Sequence, residues 1–339
     1  GILEDMPRLD YSGGASCPSL LLEPQRSNLL SDSEYLGSWS LNASGISSIQ
    51  PNYSVSPEGL QNAYKVNFVV QGDSDLALSK GFGVTGGATY TGSIWIKGEG
   101  TDIGKNVTIK IKRIGGTFVS SNIYPELTGE WQRVDFNITM AANNTQAQFY
   151  ISSNDATSVL VWGAQVEQGS YPTSYIPTYG TSQTRSIDDC KEYNVESLLG
   201  TDSGTIFVDF EIFNTDNYGG ILEIINDSTP SQRLLIWVDA GQDLELNISS
   251  GIGGQSIEVN NISIGRHKAA FTYSANEIAY FVDGTKIGTA TPTLQAFAFS
   301  RYDMRNSQGG VNIQKKYINQ TMAFPTALTD SECIALTSI

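Results

Sequence analysis

The chain has 339 residues, enough for about two domains that each bury a core without cross-links. Hydrophobic residues make up 40% and charged residues 16%, with 10% aromatics, which excludes an intrinsically disordered chain. Lys and Arg number 20 against 35 Asp and Glu, a net charge of −15, so phosphate backbones are repelled and nucleic acid is not an expected partner.

No apolar run approaches the ~18 residues that cross a membrane as a helix, so no membrane insertion is expected. No signal peptide is apparent. The chain opens at Gly1 without an initiator Met, and the expectation is a fragment or a processed product. Cys17, Cys190 and Cys333 are far apart and form no metal motif, and free thiols are expected. The single histidine, His267, removes most Ser-His-Asp, Cys-His and His-metal chemistry and reads as a packed structural residue.

Residues 1–16 read as an extended lead-in containing Pro7 and Gly13-Gly14. Beyond it the apolar period is two almost everywhere. Val107, Ile109 and Ile111 alternate with Thr108, Lys110 and Lys112. Val134, Phe136, Ile138 and Met140 alternate with Arg133, Asp135, Asn137 and Thr139. Ile206, Val208, Phe210 and Ile212 follow the same rule, as do Ile278, Tyr280 and Val282. These are half-buried antiparallel strands. Turn signals punctuate them at Gly86-Gly87, Gly115-Gly116, Gly219-Gly220, Gly253-Gly254, Asp283-Gly284 and Gly309-Gly310. Short strands at that spacing predict an all-β chain of two tandem antiparallel β-sandwiches. The divisions expected are 17–180 for the first sandwich, 181–199 for a linker and 200–339 for the second. The best helix is a short one over 329–336, with Thr329 as cap and Glu332 three residues on.

The first domain resembles the carbohydrate-binding-module-like jelly rolls of phage tail and fibre proteins. The match runs through Leu20-Leu21-Leu22-Glu23-Pro24-Gln25-Arg26-Ser27-Asn28-Leu29-Leu30, then Ser33-Glu34 and Trp39. It continues in Ser93-Ile94-Trp95-Ile96-Lys97 and Gly129-Glu130-Trp131-Gln132-Arg133-Val134. Its most specific part is the closing signature Trp162-Gly163-Ala164-Gln165-Val166-Glu167-Gln168-Gly169, running into Pro172-Thr173-Ser174-Tyr175-Ile176-Pro177-Thr178 and Thr184-Arg185. With Pro7-Arg8-Leu9-Asp10-Tyr11, the resemblance covers about residues 7–188. The second domain resembles a laminin-G or concanavalin-like sandwich over about residues 200–339. That match rests on Gly204-Thr205-Ile206-Phe207-Val208, the strand Gly265-Arg266-His267-Lys268-Ala269-Ala270-Phe271-Thr272-Tyr273, the hairpin Tyr280-Phe281-Val282-Asp283-Gly284 and the segment Ala327-Leu328-Thr329-Asp330-Ser331-Glu332-Cys333.

Together the resemblances imply a non-enzymatic phage virion fibre, of tail or head, that attaches to host-surface polysaccharide. They also imply a homotrimer, association with other virion proteins, a virion location after synthesis in the bacterial cytoplasm, and no required cofactor. Two alternatives stay open: a purely structural capsid, head-fibre or decoration protein, and the binding-module fragment of a glycan-degrading enzyme. Carboxylate pairs such as Asp188-Asp189 read as solvated turns, and no nucleophile elbow, P-loop or metal signature occurs. A structural calcium would draw on Asp202, Asp216, Asp239 and Asp243.

Period-two alternation selects the candidate binding residues. With Ile94, Ile109, Ile111, Val134 and Phe149 directed to the core, the opposite face carries Trp95, Lys97, Lys110, Lys112, Arg133 and Tyr150. Such a group joins aromatic rings for stacking on sugars with cations on an otherwise acidic chain. Trp237 is out of phase with Ile236 and Val238 and is the candidate in the second domain. Trp39, Trp131 and Trp162 read as core residues.

Overall fold

The computed structural model describes residues 7–11, 18–69, 77–213, 219–239, 241–250, 254–292, 298–304 and 315–339. Two compact units are present: a contiguous one, Arg26–Ser186, and a split one, Gly1–Gln25 with Ile187–Ile339. Both are antiparallel β-sandwiches, as the alternation requires.

The contiguous unit has two five-stranded sheets. The first runs, edge to edge, Gln132–Thr139, Thr89–Lys97, Ser158–Gln168, Ala63–Phe68, Ile46–Ser54. The second runs Ser120–Ile123, Thr108–Ile114, Gln146–Ser152, Leu78–Gly83, Ser40–Leu41. Val66, Ile94, Ile96 and Val161 of the first sheet share one buried cluster with Leu78, Ile109, Ile111 and Phe149 of the second. Val134 packs against it in part. Trp39 meets Phe149 edge-on at 6.1 Å and donates its indole N–H to Asp32 O at 2.9 Å, so it is a core residue.

The signature from Trp162 to Thr178 closes this sandwich through buried polar side chains. Asn28 donates from Nδ2 to Ile176 O (2.9 Å) and Ala164 O (3.3 Å), and its Oδ1 accepts from Val166 N (3.1 Å) and Leu30 N (3.2 Å). Gln165 Oε1 accepts from Ile176 N at 2.7 Å. Glu167 accepts from the backbone and hydroxyl of Thr173. Thr178 donates to Leu30 O at 2.6 Å and exchanges hydrogen bonds with the backbone and hydroxyl of Ser33. Buried amides that face away from the one neighbouring strand must be satisfied this way, which is why the signature carries Gln, Glu and Thr and meets Asn28.

Asp102 does the same at another corner. Its carboxylate accepts from the backbone and hydroxyl groups of Thr157 and Ser158. Burial would raise its pKa, but those hydrogen bonds and Lys105 outweigh burial and hold it at about 2. Asp102→Ala is therefore expected to lower stability by on the order of 2 kcal/mol at neutral pH. The folded pKa is depressed, so the difference from wild type is full above pH ~4 and shrinks as pH falls toward 2. Denaturant midpoints measured across that range check it; a gap that does not narrow would refute the assignment.

The split unit packs a seven-stranded sheet on a six-stranded one. The order of the first is Leu9–Asp10, Ser19–Leu22, Lys316–Phe324, Ser203–Ile212, Gly265–Ser274, Ile278–Val282, Thr285–Ala290. The order of the second is Lys191–Tyr193, Arg301–Asp303, Gly219–Ile225, Gln232–Val238, Leu244–Ser250, Gly254–Val259. Ser19–Leu22, read from the sequence as the opening strand of the first domain, pairs instead with Lys316–Phe324, with Leu20 opposite Ile318. Leu22 is buried in this unit's core, and Arg8 bridges Glu23 and Asp188, so the segment before Arg26 belongs to the C-terminal strands. The stretch 181–199 is likewise no free linker. Gln183–Arg185 pairs with Arg26–Asn28, and Lys191–Tyr193 pairs with Arg301–Asp303. The helix forms over Asp330–Thr337, with Thr329 and Glu332 making the expected capping box. Cys190 and Cys333 are free thiols, and burial pushes the Cys333 thiol up to about 11. Cys17, Asp216 and the turn signals at 13–14, 253 and 309–310 lie outside the described residues.

His267 is packed, and both its nitrogens face acceptors: Nδ1 lies 2.7 Å from Asp283 Oδ2 and Nε2 lies 2.9 Å from Ser263 O. Only the imidazolium donates from both nitrogens. Burial disfavours the charged ring, but the Asp283 and Ser263 hydrogen bonds outweigh it and His267 titrates above its ordinary value. The folded pKa is raised, so this stabilisation is complete below pH ~6.5 and is lost as pH rises through the folded value. His267→Gln should cost on the order of 1 kcal/mol at pH ~5.5 and much less at pH ~9. The lone histidine gives an unambiguous NMR titration, and a midpoint below the model-peptide value would overturn this.

Candidate functional site

The structure upholds the alternation and divides the residues it selected. Trp95, Lys97 and Arg133 lie on the outer face of the first sheet of the contiguous unit. Lys110, Lys112 and Tyr150 lie on the outer face of the second sheet, on the far side of the shared core. Ile94 and Ile109 lie in different sheets and share that core, so the face opposite each belongs to a different surface. Alternation assigns in or out for a strand; it does not say which sheet the strand joins. Trp237 is in the other unit, in register with Gly220 and Glu245 on the outer face of the six-stranded sheet.

On the second sheet, Lys110 is directly opposite Tyr150, with its amine 4.9 Å from the ring centroid, and Tyr150 donates to Gln148 Oε1 at 2.6 Å. Lys110 is only 5% exposed, so it is not the open surface cation that the sequence suggests. Lys112 lies over the exposed ring of Phe118 at 5.9 Å.

The outer face of the first sheet is organised in rows across the strands. One row is Lys97, Leu160, Lys65 and Gln50. The next, ~7 Å along by two residues of strand rise, is Arg133, Trp95 and Trp162. Beyond it come Asp135, Ser93 and Gln165, then Asn137, Thr91 and Glu167.

Ties between distant strands cover part of this face. Trp131, beside one edge strand, donates its indole N–H to Val55 O, just past the other edge strand, at 3.0 Å. Tyr53 donates to Glu99 Oε1 at 3.1 Å, and Lys65 pairs with Glu99 while lying 4.8 Å over the Tyr53 ring. Leu160 beneath these ties is 3% exposed although it faces away from the core. Trp162 is 5% exposed because the Tyr175 ring sits on it at 4.6 Å between centroids. Gly163, with φ +64, allows this: a Cβ there would lie 3.3 Å from Tyr175 and 3.4 Å from Trp95. Trp131 is therefore a half-buried outer-face residue and not the core residue expected, whereas Trp162 is buried as expected, but beneath Tyr175 on the outer face and outside the inter-sheet cluster. Their sequence signal was available, since Trp162 is out of phase with Val161 and Trp131 is in phase with Arg133. The buried indole N–H of Trp162 has no hydrogen-bond partner among the described residues.

At the far end, the Thr91 hydroxyl lies 2.8 Å from Gly169 O and Asn137 donates to Ser170 O at 2.7 Å. Ser93 and Thr91 are each 1% exposed. What remains open is a bay around the half-buried Trp95, Lys97 and Arg133, with exposed Asp135 on the edge strand. Arg133 donates to Ser93 Oγ at 3.0 Å. The Trp95 indole N–H and the Lys97 amine have no hydrogen-bond partner among the described residues. The bay offers an aromatic face, an indole donor and a cation to one bound group.

Among the described residues no cluster of three or more His, Cys, Asp or Glu side chains is placed to hold a metal ion. Asp239 Oδ1 accepts from Gly241 N and Asp243 N, and Asp243 Oδ1 accepts from Asn261 N, so these carboxylates order their own turn. No described helix is long and apolar enough to cross a membrane.

No family model matches the chain, and no curated protein matches it. Among solved structures, it is similar to the carbohydrate-binding module CBM40 of the Ruminococcus gnavus IT-sialidase bound to α2,6 sialyllactose. The TM-score is 0.37 at 15% identity, covering 45% of this chain and 95% of that one. A leech intramolecular trans-sialidase gives 0.37 at 12% identity, with 45% and 26% covered. A botulinum neurotoxin type C structure gives 0.33 at 11% identity, with 40% and 35% covered. Likenesses this distant assign no ligand and no activity to this chain.

Proposed function

We propose that this protein is a non-enzymatic glycan-binding adhesin, and that the bay at Trp95, Lys97 and Arg133 is its binding site in the contiguous unit. The observation that carries the reading is the half-buried Trp95 ring, set in register beside Arg133 and two residues from Lys97, with neither its indole N–H nor the Lys97 amine partnered among the described residues. An indole face stacks on the apolar face of a pyranose, and the cations suit an acidic sugar. Repetition on a particle would turn weak single contacts into avidity. The closing signature supports placing the protein in a phage fibre, as a homotrimer with other virion proteins, acting on host-surface polysaccharide. Calcium remains a proposal for the turn at Asp239 and Asp243.

The test is glycan-array and host-cell binding by wild type, Trp95→Ala and Lys97→Glu, with Lys112→Glu as the control for the second sheet. Trp95→Ala should weaken binding by on the order of 1 kcal/mol. Lys97→Glu should weaken it more at low salt than at high salt. Loss only in the second-sheet variant would move the site there, and unchanged binding in all three would leave Trp237 as the candidate.

A further inference from the structure

The bay is bounded on three sides. Toward Lys97 it ends at the Trp131–Val55 tie, which spans the face from one outer strand to the other, and at the Tyr53–Glu99 tie, which runs from an outer strand to the end of Thr89–Lys97. Toward the sheet centre it ends at Tyr175 seated on Trp162. Toward Thr91 it ends at Gly169 and Ser170. The burial of Leu160, Trp162, Ser93 and Thr91, all facing away from the core, records the cover on each side. Among the described residues, only the side toward the edge strand Gln132–Thr139, with exposed Asp135, is left open.

A linear polysaccharide held by an internal residue needs two exits from its site, whereas a chain end needs one. We infer that the bay reads the terminal sugar of a glycan, with Trp95 under the ring and Lys97 at an anionic substituent, the rest of the chain leaving past Arg133 and Asp135. This rests on the reading of the bay as a glycan site and specifies which part of the glycan it takes. The exposed carboxylate of Asp135 at the exit favours an acidic group at the inner end of the bay, next to Lys97, over one on the departing chain.

The test uses the full chain and galacturonate oligomers of increasing length, with sulfated dextran oligomers and neutral cello-oligomers as the other arms, read by calorimetry. End recognition predicts a Kd per molecule that does not improve with galacturonate length, one protein bound per chain, and on the order of tenfold weaker binding in Lys97→Glu. Sulfated probes binding in place of uronates would identify the anionic group as sulfate and keep the inference. Affinity and stoichiometry rising with the number of internal residues would overturn it and leave the bay a glycan site. Binding by cello-oligomers alone would overturn the inference and leave the bay a glycan site, whereas binding by no probe, or binding indifferent to Trp95→Ala and Lys97→Glu, would overturn the glycan reading and the inference with it. A second variant tests the boundary itself. Trp131→Phe with Tyr53→Phe removes the two ties while keeping the rings, and it should newly admit internal residues, so that affinity begins to rise with chain length.

Discussion

Asn28→Ala is expected to destabilise the contiguous unit by on the order of 4 kcal/mol, which approaches the whole stability of many domains. Asn28 is fully buried and its amide serves two carbonyls and two backbone N–H groups from three separate segments. Alanine leaves all four without a partner and with no route to water, and a buried unsatisfied group costs ~1–3 kcal/mol. Asn28→Asp separates the parts. It keeps the acceptor for Leu30 N and Val166 N but turns the donor into a carboxylate facing the carbonyls of Ala164 and Ile176. It should be as harmful as alanine at neutral pH and partly recover in acid, where a protonated carboxyl donates. Gln183→Ala, at an exposed position, is the control. Denaturant unfolding followed by tryptophan fluorescence measures all three, and a loss below ~1 kcal/mol for Asn28→Ala would show that the closing segment is held by other means.

Lys316→Met should stabilise the split unit at pH 7, by on the order of 2 kcal/mol, and lose that advantage as the pH rises. Lys316 is 0% exposed, points into the core opposite Ile212, and donates to Gly220 O. Burial pulls its pKa down to about 7, against smaller opposing effects of Asp303 and Cys190. The unfolded chain therefore binds a proton that the folded chain resists between pH 7 and about 10.5, and wild-type stability climbs with pH across that window. Methionine removes this burden but leaves the Gly220 carbonyl unsatisfied, which sets back part of the gain. At pH ~10.5 only that penalty remains, so the sign of the difference should reverse. His267 works in the opposite direction, since its folded form holds a proton that the unfolded chain gives up. Unfolding measured in both variants at pH 6, 8 and 10 distinguishes the two groups. A Lys316→Met variant less stable than wild type at pH 7 would refute the account.

Much of this fold is written locally. Alternation such as Val107 to Lys112 and Val134 to Met140 marked strands, the Asp283-Gly284 pair marked a hairpin, and Thr329 with Glu332 marked the helix start. Each depends on a backbone period or a turn preference that spans only a few residues, so the sequence by itself determined the all-β class and which face of each strand meets a core. Which strands become neighbours depends on contacts between residues hundreds of positions apart. Only the tertiary structure decided that Ser19–Leu22 joins Lys316–Phe324, because a short apolar strand reads the same whichever core it enters. The candidate site divided for the same reason. Trp95 and Lys110 are both outward on their strands, but their strands lie in opposite sheets, so one alternation pattern describes two surfaces. The cover over Leu160 and Trp162 was equally out of reach of the sequence, since the Trp131–Val55 tie and the Trp162–Tyr175 contact exist only where sheet curvature and the folded closing segment bring them together.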